Sequence, residues 1–205
     1  MKKFELTNEF VTNMFGTKLF RIRALVEFGD VEAGELGGYV EKESNLGHDD
    51  NAWVYGDAQV SGDALVYDNA RVYGNAWVYG DAQVSGDARV YGNAWVYGNA
   101  WVYGNAQVSG DARVCGDARV CGNGDYAYAH GFGSVNRTTT FFRLKDGGVG
   151  VRCGCFYGTL AQFRDKIRET HGETKKAQEY LMLADLMELR FEEDENEVGN
   201  RKYVE

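Results

Sequence analysis

The chain has 205 residues and no proline; at ordinary usage of roughly 5% about ten would be expected. Every residue after the first therefore keeps a backbone N–H that can join a ladder. That excludes collagen, proline-rich linkers and polyproline recognition segments. Cationic residues are also scarce, with 22 Lys and Arg against 31 Asp and Glu and a formal charge of -9. A general affinity for DNA or anionic membranes needs the opposite balance, so neither is an expected partner. Long apolar runs are missing: no stretch approaches the roughly 18 residues of a membrane span. The opening MKKFELTNEFVTNMF has too short an apolar run for a signal peptide. A cytoplasmic, reducing compartment is the expectation.

What is present is a repeat. From Asn51 to Gly122 the chain is twelve six-residue units: Asn or Asp, Ala, a variable residue, Val, then Tyr, Ser or Cys, then Gly, with Asp68 in one Gly place. The array contains no Lys, His, Glu, Thr, Ile, Phe or Met. A strict period that pairs a small and a branched apolar residue is burying something, which excludes disorder. Ala and Val two apart share one side of an extended strand, so the variable residue and the one after Val point outward. Gly followed by Asn or Asp supplies the corner, because these residues tolerate positive φ.

Three such strands per coil predict a triangular parallel β-helix with three hexads per turn. The array resembles the left-handed hexapeptide-repeat β-helix family, with an aliphatic residue at each sixth position and a small one four later. The left hand is implied by that resemblance alone.

Folding the hexads in threes maps the outer surface. One face stacks Trp53, Arg71, Arg89 and Gln107 beside Tyr55, Tyr73, Tyr91 and Ser109. The second stacks Gln59, Trp77, Trp95 and Arg113 beside Ser61, Tyr79, Tyr97 and Cys115, and the third carries Leu65, Gln83, Trp101 and Arg119. With coils roughly 4.8 Å apart, Trp77 should stack on Trp95, and Tyr73 should lie between Tyr55 and Tyr91.

An open β-helix exposes strand edges, so the flanks should be caps. Residues 1–50 read as an N-terminal strand cap, with Val40 and Leu46 forming an imperfect first coil. Residues 123–192 read as a small α+β domain. It holds a hairpin, TTTFFRLK-DGG-VGVRCGCF, and two helices, TLAQFRDKIRETH and ETKKAQEYLMLADLMELRF. Thr159 and Gln162 form a capping box and Gly172 ends the first helix. Residues 193–205 form an acidic tail expected to fray. Together LFRIRALVEFGDVEAGELGGYVE, the NAWVYG coil, KDGGVGVRCGCFYGT and the THG-separated helix pair resemble uncharacterised hexapeptide-repeat proteins of phages and prophages. That resemblance implies a mobile-element origin and an accessory role, and carries over no catalytic residue.

Acyl transfer is the fold family's most familiar activity and resembles general-base catalysis by a coil histidine. Here His48, His130 and His171 all lie outside the array, which leaves His130 as the candidate base. Carbonic anhydrases of this fold need three His on zinc, a set these positions do not suggest, so no metal or cofactor is expected. Cys115 and Cys121 sit on adjacent faces with diverging side chains, and Cys153 and Cys155 share one side of a strand. All four read as reduced packing residues. Gly147 and Gly148 read as a hairpin turn.

The outer aromatics and arginines form a surface larger than a monomer normally exposes. Trp77, Trp95, Tyr79, Tyr97, Tyr73, Tyr91, Arg71, Arg89 and Arg113 are therefore the expected interface or ligand residues. The resemblance implies a homotrimer whose intersubunit clefts these residues line. Such a cleft suits a small planar anion, since rings stack on a base and guanidinium pairs with phosphate. The leading expectation is a non-enzymatic, homo-oligomeric phage protein that sequesters a nucleotide-derived immune signal. An acyltransferase using His130 and a structural rod or virion component are the alternatives.

Overall fold

The computed structural model describes residues 2–133 and 137–192; the expected acidic tail at 193–205 lies outside the described residues. The architecture is mainly β, a parallel β-solenoid between an N-terminal strand cap and a C-terminal sheet with two helices.

Each hexad contributes one short strand, and successive coils pair in parallel. One face holds β4 (Trp53–Val54), β7 (Arg71–Val72), β10 (Arg89–Val90) and β13 (Gln107–Val108). The second holds β5 (Gln59–Val60), β8 (Trp77–Gly80), β11 (Trp95–Gly98) and β14 (Arg113–Val114). The third holds β6 (Leu65–Val66), β9 (Gln83–Val84), β12 (Trp101–Val102) and β15 (Arg119–Val120). The register is in step, Arg71 with Arg89 and Trp77 with Trp95. The Trp77 N–H donates to the Ala94 carbonyl at 2.9 Å, and the Trp95 N–H to that of Ala112 at 2.9 Å.

The apolar pair of every hexad fills the interior. Each Ala and Val from Ala52 to Val120 at the repeat positions is at most 1% exposed, so the core is a column two side chains deep. At the corners the hexad glycines from Gly56 to Gly116 have φ between 59° and 75°, a region open to glycine. Asp68 takes the same conformation at φ 56°, and its Oδ2 accepts the Gly86 N–H at 3.0 Å. Side-chain amides stitch the outer corners together: Asn75 Nδ2 donates to Asn93 Oδ1 at 3.3 Å, and Asn93 Nδ2 to Asp111 Oδ1 at 3.0 Å.

The N-terminal cap extends the second face. Strand β1 (Phe4–Thr12) pairs antiparallel with β2 (Lys18–Ala24), which pairs antiparallel with β3 (Leu36–Val40). Strand β3 then runs parallel to β5, with Val40 opposite Val60, and Leu46 bridges to Val66. Val40 and Leu46 thus lie beneath two faces of the regular array.

This cap corrects one surface expectation. Trp53 is 0% exposed, not outward-facing to solvent, because Phe4 and Phe28 pack edge-on against its indole at 6.1 and 5.3 Å. Lys3 is buried beside it, with Nζ donating to the carbonyls of Asp49, Asp50 and Ala52 at 3.0–3.4 Å.

The C-terminal domain has more strands than its sequence signals. An antiparallel sheet runs in the order β16 (Tyr126–Phe132), β17 (Arg137–Arg143), β18 (Val149–Cys153), β19 (Phe156–Thr159). Cys153 pairs with Phe156, so Gly154 and Cys155 form the turn and Cys155 does not share a strand side with Cys153. All four cysteines are free; Cys115 is buried and Cys155 exposed.

Helices α1 (Leu160–His171) and α2 (Lys175–Phe191) cover the sheet, burying Phe163, Ile167, Tyr180 and Ala184 against Phe141 and Val151. Thr159 Oγ1 accepts the Gln162 N–H, and Gln162 Oε1 accepts the Thr159 N–H. The domain closes the last coil through an Ala118–Leu144 bridge and through Thr140 Oγ1, which accepts the Arg113 N–H at 2.9 Å.

Candidate functional site

The nine residues singled out by sequence fall on two different faces. Arg71, Tyr73, Arg89 and Tyr91 share the first face, where their hexads follow each other in successive coils. Tyr73 and Tyr91 stack with centroids 4.9 Å apart and planes inclined by 1°. The stack does not continue to Tyr55 as expected. Asp30, in the loop after β2, accepts the Tyr55 hydroxyl at 3.0 Å through Oδ1 and Arg71 Nη1 at 3.0 Å through Oδ2.

A groove of about 340 Å³ results, lined by Asp30, Tyr55, Arg71, Tyr73 and Arg89. Burial, followed by the Asp30 hydrogen bond, pushes the Tyr55 phenol up to about 12. Burial also raises Tyr73, helped by its neighbour Tyr91. Both rings are therefore neutral donors at physiological pH, beside two guanidiniums and one carboxylate. Arg71 is committed to Asp30, whereas Arg89 is exposed and forms no ion pair among the described residues.

Trp77, Tyr79, Trp95, Tyr97 and Arg113 share the second face. Tyr79 stacks on Tyr97 at 4.9 Å, and the Arg113 guanidinium lies 4.5 Å from the Trp95 centroid. This face is half covered by its own chain. Phe15, in the β1–β2 turn, leans on Trp77 at 6.3 Å and on Tyr79 at 5.4 Å. At the other end burial raises the Tyr97 phenol, with the Cys115 thiol beside it. On the third face Trp101 remains 40% exposed beneath the Arg119 guanidinium, 4.4 Å away.

His130, the candidate base, lies on β16. Its Nδ1 is 2.9 Å from Thr138 Oγ1. With Asp111, Arg113, Arg137, Thr138 and Gly154 it lines a recess of about 380 Å³ where the last coil meets the C-terminal sheet. His48 instead joins the N-terminal cap, bonding Glu43 and stacking on Phe4, and His171 ends α1. No group of three His, Cys, Asp or Glu side chains among the described residues could hold a metal ion.

Asp30, Phe15 and Arg137 were not found from sequence. Asp30 sits in a turn-rich passage whose composition marks a bend and carries no sign of which coil face it meets. Arg137 and His130 belong to strands whose pairing brings them together across the sheet.

The fold and its two side-chain clusters define a capped parallel β-solenoid repeat protein. The YdcK Beta solenoid repeat matches the chain over residues 58–70, 64–80, 82–98, 94–110 and 106–124. The similarity thus covers most of the regular coil and reaches neither the N-terminal strands nor the C-terminal helices. None of the curated proteins matches the chain. No helix among the described residues is long and apolar enough to cross a membrane.

Proposed function

We propose that the chain is a non-enzymatic, homo-oligomeric β-solenoid that binds and sequesters a small planar anion. The observation that carries this reading is the break in the tyrosine stack beside Asp30. One face of Tyr73 is taken by Tyr91, and Tyr73 also lines the groove with Tyr55 and two arginines. A base or similar ring would extend the stack while Arg89 pairs with its phosphate.

In its most specific form the protein is a phage-encoded trimer acting in the host cytoplasm. Its ligand is there a nucleotide-derived signal of antiviral immunity, held without turnover. The aromatic second face supplies the subunit contact, since Trp, Tyr and Arg dominate association energies.

Calorimetry with a panel of cyclic nucleotides and cyclic ADP-ribose isomers tests the reading. Binding to one member, weakened at least about tenfold in Arg89→Gln and in Tyr73→Ala, supports it; tenfold corresponds to about 1.4 kcal/mol. No binding to any member sinks it.

The recess at His130 favours one further reading, acyl transfer with that imidazole as base. Thiol release from an acyl donor that disappears in His130→Ala would support it.

A further inference from the structure

We propose that the recess between the last coil and the C-terminal sheet is a second anion site, built to take a phosphoryl group. It is separate from the Tyr73 groove and does not depend on it. Three cation-capable side chains reach it from three segments: Arg113 from β14, His130 from β16 and Arg137 from β17. Neither guanidinium forms an ion pair among the described residues. The carboxylate in the recess, Asp111, already accepts the Asn93 amide.

Each cationic group is held in place by something other than an anion. The Arg113 guanidinium rests on the Trp95 ring and its backbone N–H is bonded to Thr140. Arg137 stacks against Gly154, where a Cβ would collide with its guanidinium. Gly154 has φ +58°, so the turn between β18 and β19 both needs glycine and leaves room for the arginine. His130 is fixed through Nδ1 by the Thr138 hydroxyl, which leaves Nε2 free to donate in the tautomer where Nδ1 accepts.

Two forks and an imidazole converging on one recess match the tetrahedral oxygens of a phosphate better than a planar carboxylate, because more than two acceptors can be engaged at once. Two fixed positive charges against one carboxylate leave the recess net cationic, which favours an anion. The protein as a whole is strongly acidic, so this local reversal of sign favours an incoming phosphoryl group here.

The test is an NMR titration of the full chain with inorganic phosphate, following the Arg side-chain Nε–H and His130 imidazole signals. It is repeated with adenosine 5′-monophosphate and with adenosine. Saturable shifts at Arg113, Arg137 and His130 are expected, with affinity reduced at least tenfold in Arg137→Gln and unchanged in Arg119→Gln, on the third face. Arg137 is exposed, so the variant should fold; Arg137→Lys should recover part of the affinity. The monophosphate binding more tightly than phosphate identifies a nucleotide source, and equal affinities identify free phosphate. No saturable shift at these groups, or equal affinity in Arg137→Gln, overturns the site. Saturable shifts at Arg89 in place of those at Arg113, Arg137 and His130 would instead assign the phosphate to the Tyr73 groove and also overturn it.

Discussion

The indole of Trp77 lies flat on that of Trp95, with centroids 5.1 Å apart and planes inclined by 5°. The two occupy the same hexad position in paired strands of successive coils, so the ladder sets their spacing. With Arg113 on the far side of Trp95, the central ring has partners on both faces. Trp95→Ala should lower unfolding free energy by about 2 kcal/mol, the sum of a ring pair and a cation–π contact. Urea denaturation measures it. If this face also joins subunits, Trp95→Asp reduces the mass seen by light scattering at micromolar concentration to that of one chain. A wild-type protein that is already monomeric there contradicts the oligomer.

Corner residues make a sharper comparison. Gly98 has φ +70°, and a Cβ on it would lie 3.0 Å from the Gly116 nitrogen of the next coil. Gly98→Ala should cost about 1–3 kcal/mol, from backbone strain and the clash together. Asp68→Gly removes the same strain at φ 56° but loses the bond to the Gly86 N–H. The two effects oppose, so its denaturation midpoint should stay near that of the wild type. A Gly98→Ala protein as stable as the wild type would contradict this account of the corners.

Lys3 gives the fold an unusual dependence on pH. Burial is the main cause that lowers its ammonium from 10.5 to about 8, against the opposing pull of Asp50 and Asp49. Between these values the unfolded chain holds more protons than the folded one, so this group's contribution to stability rises with pH. Below about pH 8 both states are protonated and the desolvation cost is fully present. Unfolding measured from about pH 7.5 to 9.5, below the ordinary tyrosine range, should show a gain in the wild type that is missing in Lys3→Met. Parallel curves for the two proteins would mean that Lys3 does not titrate in this window.

The solenoid was legible because a period of six has few physical solutions. Ala and Val two apart fix the inward side, glycine fixes the corner, and the pairings of Trp77 with Trp95 and Tyr73 with Tyr91 follow by counting. The departures all come from segments outside the repeat. Trp53 is identical in hexad position to Arg71 and becomes buried only because Phe4 and Phe28 fold over it. Tyr55 leaves the stack because Asp30, some two dozen residues earlier in the chain, takes its hydroxyl. Strands β16 and β19 carry glycines and alternate weakly, so local pattern does not announce them. The candidate sites lie at these long-range junctions, where neither periodicity nor composition speaks.

The cap on the last coil explains why the solenoid stops where it does. From Gly62 to Gly98 each corner glycine faces the backbone of the next coil, as Gly92 faces Gly110 and Gly98 faces Gly116. At the end that place is taken by tyrosines of the C-terminal sheet: the Tyr128 ring covers Gly110 and the Tyr157 ring covers Gly116. The Tyr126 hydroxyl also donates to the Gln107 carbonyl at 2.6 Å. A chain ending at Gly122 would leave β13, β14 and β15 with an open parallel edge and the corners at Gly110 and Gly116 uncovered. The other end stays closed by β1–β3, so truncated chains should associate through their single open edges, seen by light scattering as a mass above that of the full chain's assembly. Tyr128→Ala with Tyr157→Ala, which keeps the sheet, should weaken the cap without that rise in mass. A truncated chain whose mass per assembly matches that of the full chain would mean that the regular coil protects its own edge.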